Sequence, residues 1–211
     1  METDPIARFF DREAAPCCQG DPDDGVAGVS SVLLKHVERL GIDGRTVLEL
    51  GCGTGGLSLE ALRRGASAVT GIDLSPVSVQ VARRRAARSG LGERARFEVG
   101  DGAEGAPPHD VVVLDKVICC YPVARRLLSA SSEAARGGVV FSVPASRGLR
   151  GLAARVERFF ENLWRAARRD PFRAYVHDLR GIDEGLRAQG LRRVSQAFSW
   201  TWYVAAYARG S

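Results

Sequence analysis

The sequence predicts an α/β fold: a mostly parallel, seven-stranded sheet with helices on both faces, finished by an antiparallel hairpin. Three observations carry that reading. Short apolar runs alternate with stretches of helical spacing between residues 46 and 144. A glycine-rich turn, Gly51-x-Gly53-x-x-Gly56, joins the first apolar run to the first amphipathic stretch. Near the end, "LRRVSQAF" and "WTWYVAAYA" are two β-rich runs with almost nothing between them. Alternation of strand and helix implies parallel strands joined by crossovers. A parallel partner needs a long connection, so the short link implies an antiparallel pair.

Each element follows from local chemistry. "TVLEL" (46–50) is apolar, ends at glycine and reads as a buried strand. Leu57, Leu59 and Leu62 keep helical spacing as far as Gly65. "AVTGID" (68–73) is a second strand, after which Ser75 and Pro76 supply an N-cap and a first-turn proline for a helix ending near Ser89-Gly90. "ARFEV" (95–99) and "DVVVLD" (110–115) are the third and fourth strands. Residues 123–135 predict a helix closed by Gly137-Gly138, and "GVVFSVP" (138–144) the fifth strand. Helices at 148–169 and 181–189, with the loop "DPFRAYVHD" between them, lead into the hairpin. Trp200 and Trp202 are expected on one strand face, in the core.

The 211 residues fit one domain: N-terminal lid helices (1–40), a cofactor-binding core (46–144), acceptor-side helices (145–190) and the hairpin (191–208). A hydrophobic fraction of 45% excludes disorder. No apolar run reaches the roughly 18–20 residues of a bilayer span, so no membrane partner is expected. The acidic start "METDPIARFF" lacks signal-peptide order, and a soluble cytoplasmic chain is expected. The five cysteines (17, 18, 52, 119, 120) are odd in number and include two adjacent pairs, which predicts free thiols and no metal. Net charge is +5, but Arg83, Arg84, Arg85 and Arg88 read as the solvated face of a helix, so no nucleic-acid partner is expected from charge.

Four acids stand at the ends of the first four strands: Glu49, Asp73, Asp101 and Asp115. Doubly wound sheets bind ligands at those ends. Asp73 lies 22 residues beyond Gly51, near the ~20 expected of an acid that grips a ribose. Asp101 can accept from an exocyclic amine. Glu49 discriminates between ligands, since a carboxylate at the glycine turn repels a pyrophosphate and suits an ammonium or sulfonium group.

"LELGCGTG", "GIDLS" and "VGDG" resemble the cofactor-binding signatures of class I S-adenosylmethionine-dependent methyltransferases, whose Rossmann-like sheet ends in the same hairpin. The resemblance implies S-adenosylmethionine as cofactor. It implies that Gly51, Gly53 and Gly55 let the backbone approach the methionine part, with Glu49 and Thr54 near its polar end. Asp73 would hold the ribose hydroxyls beside Leu74 at the adenine. Asp101, next to Gly102, would accept from the adenine amine, and Asp115 would close the pocket near the methyl. "VICCYP" and "FRAYVH" more loosely resemble the branch containing magnesium-protoporphyrin O-methyltransferase, without carrying that substrate over.

"LDKVICCYP" lacks the N/D-P-P-Y/F motif of nucleic-acid amine methyltransferases, and Pro16-Cys17 lies far upstream of the cytosine C5 position. Nucleic acid is disfavoured, and a small-molecule acceptor is expected, with O-methylation ahead of N, S or C. His177, amid Tyr175, Arg173 and Asp178, is the expected general base. Tyr121, beyond the fourth strand, is expected to orient the acceptor. His36 and His109 are expected to be structural. The segment "VERFFENLWRAARR" is the second choice for acceptor contacts. The rivals are a cofactor-binding pseudoenzyme or partner subunit, a nicotinamide or flavin enzyme, and a non-methylating relative such as an aminopropyltransferase. Oligomeric state is left open.

Overall fold

The computed structural model describes residues 5–14 and 26–210. Helices α1 (Pro5–Ala14) and α2 (Gly28–Arg39) precede strand β1 (Thr46–Leu50). Then come α3 (Gly56–Arg63), β2 (Ala68–Asp73), α4 (Pro76–Arg88), β3 (Ala95–Val99), β4 (His109–Leu114) and α5 (Ala124–Ala134). The chain finishes with β5 (Ala135–Pro144), α6 (Gly148–Ala167), α7 (Leu179–Ala188), β6 (Leu191–Ser199) and β7 (Trp202–Arg209).

The strands form one seven-stranded sheet in the order β3-β2-β1-β4-β5-β7-β6. β1 to β5 pair in parallel, and β7 runs antiparallel to both β5 and β6. The order reverses between β1 and β4, which places the switch point, and hence the crevice, at the ends carrying Glu49 and Asp115. Two apolar layers flank the sheet. One gathers Leu33, Val37, Leu59, Leu62 and Phe97 under α2, α3 and α4, and the other gathers Leu127, Ile182, Leu186, Phe141 and Tyr207 under α5 and α7.

The Ser75 side chain accepts from Ser78 N and caps α4, with Pro76 in the first turn, as the sequence requires. Other expectations need correction. α5 is not closed by Gly137-Gly138: Ala134 ends the helix and Ala135 begins β5 directly. Those glycines are strand residues, because a Cβ on Gly138 would stand 2.4 Å from Tyr207 O of the neighbouring strand. Trp200 is not in the core. It sits in the hairpin turn at φ +52° and is 82% exposed, while Trp202 opens β7 half-buried.

The arginines of α4 are not merely a solvated face. Arg83 Nε donates to Phe97 O (2.9 Å), and Arg85 donates to Thr54 Oγ1 (3.0 Å), tying the helix to β3 and to the glycine turn. His36 and His109 are structural as expected: His36 Nδ1 bonds Ser195 Oγ (2.6 Å) and His109 Nε2 bonds Thr70 Oγ1 (2.9 Å). Cys52, Cys119 and Cys120 are free thiols. The pair Cys17-Cys18 lies outside the described residues. No helix among the described residues is long and apolar enough to cross a membrane.

Candidate cofactor and acceptor site

β1 ends in a turn that only glycine tolerates. Gly51 has φ +74°, and a Cβ there would stand 2.5 Å from Val117 Cγ2 of the loop after β4. Gly51 N and Cys52 N both donate to Ile72 O, which locks the turn onto the end of β2. The turn opens one cavity of about 600 Å³ at the C-terminal ends of the strands.

Nine of the ten residues expected at the cofactor line it: Glu49, Gly51, Gly53, Thr54, Asp73, Leu74, Asp101, Gly102 and Asp115. Gly55 does not. It stands behind the lining at φ +77°, where a Cβ would lie 2.9 Å from both Ala82 and Phe97, and Gly56 lines the cavity instead. Gly55 therefore serves the close packing of α4 and β3 against the turn.

Each acid is held differently. Glu49 is buried, its Oε2 accepting from Ser58 Oγ of α3 at 2.5 Å. Desolvation pushes its carboxyl up to about 8, the Ser58 hydrogen bond opposing and the nearby Asp115 reinforcing the shift. Asp73 accepts from Gly53 N (2.8 Å) and Ser75 N (2.9 Å), and burial still holds its pKa above the ordinary value. Asp101 Oδ1 accepts from Ala103 N (2.8 Å) and from Tyr121 Oη (2.5 Å). Asp115 accepts from Ser142 Oγ (2.7 Å) and Ser30 Oγ (2.5 Å), with Lys116 Nζ 3.5 Å away.

The two residues expected to act on the acceptor part company. Tyr121 lines the cavity, and burial together with Asp101 raises its hydroxyl pKa well above the ordinary value. His177 is not among the lining residues. Its Nε2 lies 3.1 Å from Ile118 O and 3.0 Å from Tyr121 O. Two carbonyls require that nitrogen to carry the proton, and burial lowers the ring's pKa. His177 thus pins the turn that carries Tyr121.

Several residues of the site are illegible in the sequence. Ser30, Ser58 and Ser142 look like ordinary helix and strand serines. Lys116 lines the cavity from a left-handed backbone at φ +58°. From α1, Ile6 and Phe10 line the cavity, and Asp11 accepts from Ser75 Oγ (2.6 Å) and Val77 N (3.1 Å) at the start of α4. Among the described residues, no cluster of three or more His, Cys, Asp or Glu side chains gathers as for a metal ion.

Residues 47–137 match a family described as methyltransferase domain. The ribosomal protein L11 methyltransferase of Citrobacter koseri is 36% identical over 117 residues, 51% of this chain and 40% of that protein. The chain thus spans less than half the length of this curated relative. Magnesium protoporphyrin IX methyltransferase from Synechocystis, solved with bound S-adenosylhomocysteine, superposes at a TM-score of 0.74 with 22% identity, covering 97% of this chain and 98% of that one. Geranyl diphosphate C-methyltransferase from Streptomyces coelicolor superposes at 0.67 with 16% identity, covering 86% and 77%. These two likenesses concern the fold. The Synechocystis protein has also been solved with S-adenosylmethionine bound, and Glu49, Asp73 and Asp101 line one cavity in the present chain. Residues 47–137 thus resemble a methyltransferase domain, and the seven-stranded sheet around them has the fold of these two solved methyltransferases.

Proposed function

We propose that the chain transfers the methyl group of S-adenosylmethionine to a small organic acceptor, in the first instance to oxygen. One observation carries the reading: a single cavity is lined both by the strand-end acids and by apolar side chains of α1 and the turn after β4, namely Ile6, Phe10, Val117 and Pro122.

The donor set suits the cofactor. Glu49 is a buried carboxyl kept protonated by desolvation, so a bound cation is the partner it lacks. Glu49 and the Gly51–Thr54 turn would hold the methionine end, Asp73 the ribose hydroxyls, Asp101 with Gly102 and Leu74 the adenine, and Asp115 the methyl end. When bound, S-adenosylmethionine supplies a methyl group on a positively charged sulfur.

The chain's own residues bind, align and exclude water. Displacement at carbon gains most from holding nucleophile and methyl in line, so positioning supplies much of the rate. Ile6 and Phe10 bring apolar surface to the cavity, which would help exclude water from around the acceptor. Lys116, beside Asp115, would orient a hydroxyl or acidic group of the acceptor. In this reading His177 is a positioning residue: its N–H fixes the Ile118 and Tyr121 carbonyls, and Tyr121 in turn steadies Asp101.

A second reading, methylation of a protein, is favoured by the name of the Citrobacter relative. The apolar lining that α1 adds to the cavity, Ile6 and Phe10, favours the small acceptor. The test is to incubate the protein with methyl-labelled S-adenosylmethionine and a panel of small phenols, carboxylic acids and amines, and separately with ribosomal and total protein. Label in a small-molecule fraction supports the reading, and label confined to protein overturns it.

A further inference from the structure

α6 is amphipathic the wrong way round. Only Gly151 and Ala154 of its 20 residues are buried. Gly151 lets the helix lie on the Ser146 backbone, where a Cβ would stand 2.4 Å from Ser146 C. Two of its arginines turn inward: Arg158 and Arg165 pair with Glu161 at 2.6 and 2.9 Å, and both are less than one-fifth exposed. The apolar side chains turn outward. Leu149, Leu152, Val156, Phe159 and Leu163 repeat at alternating intervals of three and four, one continuous stripe, broadened by Phe160 and Trp164. Leu149 is 87% exposed and Phe159 62%.

The stripe does not stand alone. The first half of α6 lies against the hairpin tip, where Thr201 Oγ1 donates to Glu157 (3.0 Å) and Arg150 stacks over Phe198 at 4.9 Å. That tip carries the exposed Trp200. Isolated exposed apolar residues are ordinary, but a helix-long stripe with an aromatic tip beside it marks an interaction surface.

Charge decides the occupant. Residues 148–169 hold six arginines against two glutamates. Arg150, Arg155, Arg168 and Arg169 are exposed along the helix and just beyond its end, with Arg168 over the Trp164 ring at 4.0 Å. Two copies joined through this stripe would bring arginines of both together, while Glu157 and Glu161 are already engaged within each chain. Nucleic acid does not reward a stripe of Leu, Val and Phe. An apolar helical face with Trp and Phe, edged by arginine, fits the headgroup and acyl boundary of an anionic bilayer.

We propose that α6, with Trp200, docks this protein on the surface of an anionic membrane, lying in the interface without crossing it. This proposal departs from the expectation of no membrane partner, which rested on the lack of a spanning run; a helix that lies in the interface needs none.

The experiment is co-sedimentation of the full chain with vesicles of phosphatidylcholine containing one-third phosphatidylglycerol, against vesicles of phosphatidylcholine alone. Binding is expected to the anionic vesicles, weakened by salt, with a blue shift of tryptophan emission. Phe159→Glu and Leu163→Glu, both at exposed positions, should each lower the partition coefficient about ten- to hundredfold, the scale of one large apolar side chain. S-adenosylhomocysteine binding by the same variants, measured calorimetrically, checks that they are folded. Absence of vesicle binding by the folded chain at low salt overturns the proposal. So does equal binding to neutral vesicles, or a dimer in sedimentation velocity that Phe159→Glu dissociates, which would show a second copy on the stripe.

Discussion

Ser58 Oγ and Glu49 Oε2 stand 2.5 Å apart, a hydrogen bond between a helix serine and a strand-end carboxyl, both buried. Burial nevertheless raises Glu49 from an ordinary 4.5 to about 8. The unfolded chain ionises this group above 4.5 while the folded chain keeps the proton, so stability falls as pH rises from 4.5 and levels off above about 8. A bound cation reverses the preference and expels the proton. S-adenosylmethionine binding is therefore expected to release a proton near neutral pH and to tighten as pH approaches about 8. Calorimetry in buffers of different ionisation heat measures the release, and Glu49→Gln should abolish it. Undiminished release in that variant would place the linked proton elsewhere.

Removing Ser58 tests the same pair from the other side. Ser58→Ala leaves a buried carboxyl without its donor, a cost of about 1–3 kcal/mol. Thermal unfolding of the ligand-free protein should show the loss, and it should grow with pH as Glu49 is driven to ionise. A pH-independent loss would mean that the serine matters for packing alone.

Asp73 carries two duties, since it holds Gly53 N and Ser75 N before any ligand arrives. Asp73→Ala is expected to weaken S-adenosylmethionine by roughly 1–3 kcal/mol and to lower the melting temperature as well. Asp73→Asn, which keeps an oxygen for one of the two amides, should recover stability more than affinity. Equal recovery of both would remove the ribose from its list of partners.

Most of the sheet is legible because each buried strand is a short apolar run, and because Ser75-Pro76 states a helix start in two residues. Glu49, Asp73, Asp101 and Asp115 are legible for a related reason: strand ends of a parallel sheet converge, so acids there must meet. What escapes the sequence depends on direction or distance. Gly137-Gly138 look like a helix stop, yet they are required by the strand beside them. Trp200 looks like core until the turn rotates it outward. Gly55 fits the glycine signature but faces Phe97 rather than the cavity. The loop holding His177 is visible, whereas the two carbonyls that claim its Nε2 lie 59 and 56 residues away.

His177 separates a base from a brace. A general base lost to mutation costs about 10²- to 10⁴-fold in rate. A brace that pins the Tyr121 turn should instead raise the acceptor KM and lower stability, with a milder effect on kcat. His177→Gln, whose amide can still donate to a carbonyl, is expected to restore much of what His177→Ala loses. Burial lowers the His177 pKa below 6.5, so the folded chain resists protonation that the unfolded chain accepts. This contribution to stability is whole above 6.5 and is lost as pH falls through the lower folded value. If Gln fails to rescue and the rate follows a single ionisation, the histidine is a base after all.

The last prediction concerns the attachment of α1. Asp11 reaches 64 residues along the chain to accept from Ser75 Oγ, and it also takes Val77 N, so one carboxylate caps α4 and anchors the helix whose Ile6 and Phe10 line the cavity. A negative charge at a helix N-terminus gains further from the backbone dipoles there. Phe9 supports the same attachment by stacking on Phe172 at 4.9 Å, and Arg12 pairs with Asp170 at 2.9 Å. Asp11→Ala should cost about 0.5–2 kcal/mol, the worth of a cap. Because α1 brings Ile6 and Phe10 to the cavity, its release should also quicken ligand loss. Limited proteolysis is expected to cut the N-terminal segment of Asp11→Ala sooner than that of the parent chain, and saturating S-adenosylhomocysteine should slow the cut. Stopped-flow displacement should show the dissociation rate raised several-fold, with a smaller change in the association rate. Asp11→Asn keeps the acceptor and loses the charge, so its place between the two should separate hydrogen bond from dipole. An unchanged dissociation rate in Asp11→Ala, with cleavage quickened, would mean that α1 lines the cavity without holding the ligand in it.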